Sequence, residues 1–242
     1  NVAVIQLTQF IQNSEEALDK AITQIRARLG NRLSGVVLDL RNNPGGLLSQ
    51  SVAVTDALLD HGEIVSIRNR RGSMRGFYAE EGDLLRGLPL VVLINRSSAS
   101  ASEIVAGALQ DHGRATVMGR RSFGKGSVQT ITPLDWAGAL RLTTSLYYLP
   151  SGRSIQGAGI SPDIPILGEK DMNAGREENQ PRALTDTGAK PSRRAARTQL
   201  PEKDCPAAGA KKDDRILGCA LVYLKAGTAR KFLSLIGTRQ SL

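Results

Sequence analysis

The segment Pro89-Leu90-Val91-Val92-Leu93-Ile94-Asn95-Arg96-Ser97-Ser98-Ala99-Ser100-Ala101-Ser102-Glu103 decides the fold class. Its first half is an unbroken apolar run, which suits a strand covered on both faces. A serine-rich turn follows. Ser100 and Glu103 then stand at the spacing of a capping box, serine at the N-cap and glutamate three residues on. The pattern predicts a helix from about Ser100 to Asp111, ended by Gly113. Strand, turn and helix in that order form one unit of an α/β protein.

The unit recurs upstream. Val2–Leu7 reads as a strand, and a helix follows with Asn13 or Ser14 as its cap and Leu18, Ile22, Ile25 and Leu29 on one face. Gly35–Leu40 is a second apolar strand, closed by the turn Arg41-Asn42-Asn43-Pro44-Gly45-Gly46. A helix over Leu48 to Asp60 and a strand at Ile64–Ile67 come next. Downstream, Ala115–Gly119, Ser127–Thr132 and Ala139–Leu149 read as strands, with a loop from Arg120 to Gly126. The alternation predicts an α/β domain around a largely parallel sheet.

At 242 residues the chain is long enough to bury a sizeable core. Hydrophobic residues make up 40%, as in soluble globular proteins, and no apolar run reaches the length of a membrane span. The net charge of +9 points to nucleic acid until it is located. Residues 168–242 hold 15 Lys and Arg against 9 Asp and Glu, which leaves only +3 for the first 167 residues. A nucleic-acid site needs a basic face on a folded surface, so that class is set aside. Residues 168–212, poor in large apolar side chains, read as a flexible linker between a 1–167 core and a C-terminal helical segment, 213–242. Cys205 and Cys219 fit one bridge or two free thiols. The chain opens directly on a strand, with no leader, and reads as cut at a domain boundary.

Three segments could carry chemistry. Ser100 at a helix start is well placed for a nucleophile, because the unpaired N–H groups there, Ala101 among them, favour negative charge. Capping alone explains it equally simply. Gly124-Lys125-Gly126 reads as an exposed hairpin tip or, with Gly119, as a degenerate phosphate loop. The Ser or Thr that must follow the lysine is absent, so nucleotide binding is set aside. The glycines of the 41–46 turn supply positive φ, or expose an N–H to an oxyanion. Only two histidines exist, His61 and His112, both beside a glycine at a helix end, so a histidine base has few candidates. No spacing of His and Cys matches a metal site, and no cofactor is implied.

Taken together, and in this order, these segments resemble the C-terminal processing peptidases, or tail-specific proteases. The resemblance covers about residues 1–167. It rests on Val4–Phe10, Leu38–Gly46, Ser98–Ile104, Phe123–Gln129, Leu149–Gly157 and Gly159-Ile160-Ser161-Pro162-Asp163. It implies Ser100 as nucleophile, Lys125 as general base and Gln129 as the residue that positions the lysine. It implies an oxyanion hole built from the N–H of Ala101 and that of Gly45 or Gly46, and a structural part for Asp111. It also implies a crotonase/Clp-protease-like spiral of ββα units with a flexible tail, and an acyl-enzyme route without metal or cofactor. The expected partner is a protein or peptide with an exposed C-terminus, in a periplasmic or other extracytoplasmic compartment. A PDZ domain, found in the family before this core, is expected to be missing from this chain, and homo-oligomers or adaptors are left open.

A lysine base must be neutral, whereas a free lysine, with pKa about 10.4, is charged near pH 7. Burial against Phe123 and Val128 would favour the neutral amine, and a glutamine can orient it without adding charge. Two other readings fit the same segments: a crotonase-like acyl-thioester enzyme such as a hydratase, and a non-catalytic peptide-binding scaffold.

Overall fold

The computed structural model describes residues 1–136, 138–168, 199–208 and 213–237. Strands β1 (Val2–Gln6) and β2 (Gly35–Asp39) flank helix α1 (Ser14–Leu29), and helix α2 (Leu48–Asp56) follows. Strands β3 (Gly62–Asn69), β4 (Met74–Ala79) and β5 (Leu90–Ile94) lead to helix α3 (Ala101–Asp111). Next come β6 (Thr116–Gly119), β7 (Ser127–Pro133), β8 (Ala139–Tyr148), β9 (Ile164–Leu167) and β10 (Leu200–Pro201). Helices α4 (Arg215–Ala226) and α5 (Ala229–Gly237) end the described chain.

Six strands form one sheet in the order β1-β2-β5-β6-β9-β10, every neighbouring pair parallel. All their C-terminal ends therefore meet at one edge, where the loops after β1, β2, β5 and β6 gather. Alternate residues of the central strands face opposite sides. Val36, Leu38, Val92 and Ile94 enter a core with helices α1, α2 and α3, while Val37, Val91 and Leu93 enter a second core with α4 and α5. Each fully buried side chain of this kind contributes about 1.5–3 kcal/mol, which explains why these strands are apolar but for Asp39 at the end of β2. No helix among the described residues is long and apolar enough to cross a membrane.

The predicted parallel sheet is present, but it does not hold every strand. β3, β4, β7 and β8 make a separate antiparallel sheet in the order β4-β3-β8-β7. β4 escapes prediction because Met74-Arg75-Gly76-Phe77-Tyr78-Ala79 is largely exposed and does not alternate cleanly. Helix α2 stops at Asp56, four residues before the predicted end. Residues 213–236 form two helices, divided at Gly227, which takes the left-handed conformation at φ 73°.

Of the stretch expected to be a linker, 169–198 and 209–212 lie outside the described residues. The part that is described, 199–208, is packed: Leu200 is buried, β10 pairs with β9, and Cys205 is bonded to Cys219 on α4. The bridge closes a loop with a sequence separation of 14. Closing a 15-residue loop removes about 3 kcal/mol of unfolded-chain entropy. Replacing both cysteines by alanine should lower stability by about 2–4 kcal/mol, read as an earlier midpoint in chemical denaturation.

Candidate active site

The loops at the C-terminal edge of the parallel sheet are bonded to one another. Asn43, fully buried, is the centre of the 41–46 turn. Its Nδ2 donates to Leu7 O (2.7 Å), its Oδ1 accepts from Gly45 N–H (2.9 Å), and its carbonyl accepts from Ala99 N–H (3.0 Å) and Ser102 Oγ (3.0 Å). Asn42 and Asn95 exchange two bonds, Asn42 N–H to Asn95 Oδ1 (3.0 Å) and Asn95 Nδ2 to Asn42 Oδ1 (2.8 Å). Ser98 Oγ donates to Leu40 O at 2.8 Å. The glycine turn and the serine turn are thus one bonded assembly.

Ser100 stands at the entry to α3 with φ 54° and ψ −112°. Positive φ is unfavourable for a residue with a Cβ and persists only where the surroundings impose it. A strained serine at a sharp strand-to-helix turn is the geometry that exposes a nucleophile. The capping box predicted from Ser100 and Glu103 is formed as well. Capping therefore coexists with the strained backbone at one residue.

Glu103 does more than cap. It is fully buried, and its carboxylate takes four donors. Oε2 accepts from Ser100 N–H (2.7 Å) and Lys125 N–H (2.9 Å); Oε1 accepts from Gly124 N–H (2.7 Å) and Ser122 Oγ (2.5 Å). One oxygen atom therefore holds the backbones of Ser100 and Lys125 side by side. The structure brings those two residues together through a group the sequence presents only as a helix cap. The available signal was a carboxylate within the otherwise small and apolar run from Ala101 to Leu109.

The lysine loop is not an exposed hairpin tip. Besides Glu103, it is held by Gln156 Oε1, which accepts from Gly126 N–H at 2.9 Å, and by Gly157 N–H, which donates to Gly124 O at 2.8 Å. Phe123 N–H donates to Ser98 O at 3.0 Å. Lys125 is half-buried, as are Phe123 and Val128. Gln129 lies on the exposed part of β7, opposite Thr143, and its side chain bonds to none of the described residues.

The two glycines of the turn differ. Gly45 has φ 100°, and a Cβ there would stand 2.7 Å from Ala99 O and 3.0 Å from both Ala101 N and Ser100 Cβ, so its backbone lies against the serine turn. Its N–H is spent on Asn43. Gly46 has φ 148°, and a Cβ would meet Phe10 O at 2.1 Å. The N–H groups of Gly46 and Ala101 have no acceptor among the described residues.

The histidines are elsewhere. His112 closes the far end of α3, about 18 Å from Ser100 at 1.5 Å per residue, with Nε2 against Glu63 O at 2.7 Å. His61 is exposed beside Asp60. Asp111 also sits at that far end, paired with Arg153 at 2.9 Å. Among the described residues no three His, Cys, Asp or Glu side chains converge as a metal centre.

The model of peptidase family S41 matches residues 1–166. The chain belongs to peptidase family S41. Among S41 relatives, the carboxy-terminal-processing protease of Bartonella bacilliformis is 57% identical over 168 residues, which is 69% of this chain and 39% of that protein. The chloroplastic C-terminal processing peptidase of Tetradesmus obliquus is 39% identical over 163 residues, 67% of this chain and 34% of that protein. The chain thus spans well under half the length of these two relatives. A solved photosystem II D1 C-terminal processing protease superposes with a TM-score of 0.63 at 38% identity, over 67% of this chain and 41% of that one. Mature CPAF, at 17% identity and TM-score 0.54, shares the fold over 67% of this chain and 46% of its own. The S41 chain has the Clp-protease-like α/β fold that its motifs imply.

Burial drives the Glu103 carboxyl up to about 7, against the four donors that act to lower it. A folded value above the ordinary 4.5 means that the folded protein holds a proton the unfolded chain has already released between those two pH values. Stability should therefore fall as pH rises from about 4.5 to about 7, and Glu103→Gln should flatten that decline in thermal unfolding followed across pH. The same substitution turns an NH₂ toward donors, so at pH 8 it should cost about 1–3 kcal/mol.

Proposed function

We propose that the chain is the catalytic unit of a serine endopeptidase that cleaves proteins near their C-terminal ends, with Ser100 as nucleophile and Lys125 as general base. One observation carries this reading: a single oxygen of Glu103 anchors the backbones of both residues, at 2.7 and 2.9 Å. A serine is a weak nucleophile until a neighbouring base takes its proton, and Lys125 is the basic residue whose backbone is fastened beside it. The strained backbone of Ser100 and the names borne by the relatives agree with the reading.

The steps follow from that placement. A substrate peptide bond lies over the turn between Gly46 and Ser100. Lys125 Nζ takes the Ser100 proton as Oγ attacks the carbonyl carbon. The negative oxygen that forms accepts from Gly46 N–H and Ala101 N–H, the two amides left unpaired. Gly46 is preferred to Gly45 in this reading because the Gly45 N–H already donates to Asn43 Oδ1. When the intermediate collapses, Lys125 returns the proton to the leaving amine and an acyl-serine remains. Water, deprotonated by the same amine, hydrolyses it. Lys125 must be neutral to accept that proton. Gln129 would join by turning its amide oxygen toward Nζ once substrate covers that end of β7.

The disulfide between Cys205 and Cys219 supports an extracytoplasmic setting, since such bridges persist in oxidising compartments. A histidine triad has no support here, because His112 is a helix length away.

Ser100→Ala and Lys125→Ala should each abolish hydrolysis of an unstructured fluorogenic peptide with an apolar C-terminus, with the circular dichroism spectrum unchanged. His112→Ala should retain wild-type kcat. A Lys125→Ala variant that still turns over would remove the base from the mechanism.

A further inference from the structure

Residues 199–237 lie outside the matched family segment, yet they reach the catalytic turn at one point. Arg41, first residue of the 41–46 turn, sits between two carboxylates. Its Nε and Nη2 donate to Asp39 Oδ1 (2.9 Å) and Oδ2 (2.6 Å). Its Nη1 and Nη2 donate to Asp214 Oδ1 (2.9 Å) and Oδ2 (2.6 Å). The guanidinium is clamped by two bidentate partners, the arrangement with the most geometric definition for an arginine.

Asp214 is itself fixed. It caps α4 by accepting from Leu217 N–H at 2.9 Å, and its backbone exchanges two bonds with Ala208. The Cys205–Cys219 bridge closes the loop that presents it. From Arg41 the chain of contacts continues directly: Asn42 to Asn95 in the serine turn, then Asn43 to Gly45 and the free N–H of Gly46.

We propose that Asp214 is a positioning residue of the catalytic site: acting through Arg41, it fixes the glycine turn that aims the Gly46 N–H at the developing oxyanion. The C-terminal segment thereby completes the site from the opposite face of the sheet. The inference rests on the reading of Gly46 as an oxyanion donor. Charge balance does not explain the second acid. Asp39 alone neutralises Arg41, so electrostatic pairing does not require Asp214. What Asp214 adds is a second pair of bonds, on another edge of the guanidinium, that prevents it and the turn behind it from pivoting about Asp39.

Asp214→Asn tests this cleanly. Asparagine caps a helix as well as aspartate, and Arg41 keeps Asp39, so the fold is spared while the charged clamp is lost. In the intact protein, with the same fluorogenic peptide, kcat should fall about tenfold at unchanged KM, a part of the roughly 10²–10³ that loss of an oxyanion donor costs. Amide hydrogen exchange at Asn42, Asn43 and Gly45 should quicken while that of α3 stays the same. An unchanged kcat, or a change confined to KM, overturns the inference, as does unaltered exchange in the turn. Asp214→Glu should restore part of the lost kcat. Ser100→Ala measured alongside keeps the two readings apart: residual hydrolysis there refutes the serine mechanism, whereas exchange in the Asp214→Asn turn reports on positioning without any turnover.

Discussion

The site depends on a buried carboxylate. Glu103 has no exposure to solvent and meets four donors, three of them backbone N–H groups from two segments about twenty residues apart. A buried carboxylate is costly unless its lone pairs are satisfied, and here every donor comes from the turn before α3 or the loop before β7. The requirement works in both directions. The carboxylate needs those amides, and the amides, which are outside any helix or strand ladder, need an acceptor. Placing Ser100 and Lys125 together is the geometric result.

The parallel sheet supplies the platform. Because β1, β2, β5 and β6 run the same way, the loops that follow them share one edge, which is where open α/β sheets place their sites. Both faces of the sheet are covered, by α1–α3 on one side and α4–α5 on the other. The second cover is more than insulation for Val37, Val91 and Leu93. Through Asp214 and Arg41 it makes contact with the turn that carries Gly46, so a helix at the back of the sheet is mechanically connected to an amide at its edge.

Much of this was legible residue by residue. The apolar runs at 36–38 and 90–94 read correctly as doubly covered strands, since burial on both sides favours apolar residues at every position. Ser100 and Lys125 stood out through the joint order of their motifs. β4 and the division of the antiparallel sheet did not, because exposed strands with mixed polarity carry no periodic signal. The described part of the 168–212 stretch also misled: its composition is polar, but Leu200 and Cys205 are enough to dock it when a sheet edge and a partner cysteine are waiting.

By itself, the sequence determined the α/β class, the order of the main elements and the two side chains proposed to react. The class and the order follow from apolar periodicity and capping spacing, which act between near neighbours in the chain; the reacting pair follows from the family resemblance that the joint order of the motifs carries. The tertiary structure decided which glycine keeps an unpaired N–H, what draws the serine to the lysine, and which residue beyond the family segment clamps the turn. Each of those depends on a donor and an acceptor far apart in the chain: 22 residues separate Glu103 from Lys125, and 173 separate Arg41 from Asp214. Such pairs leave no local spacing to read, because their partners are chosen by packing and by the need to satisfy buried polar groups.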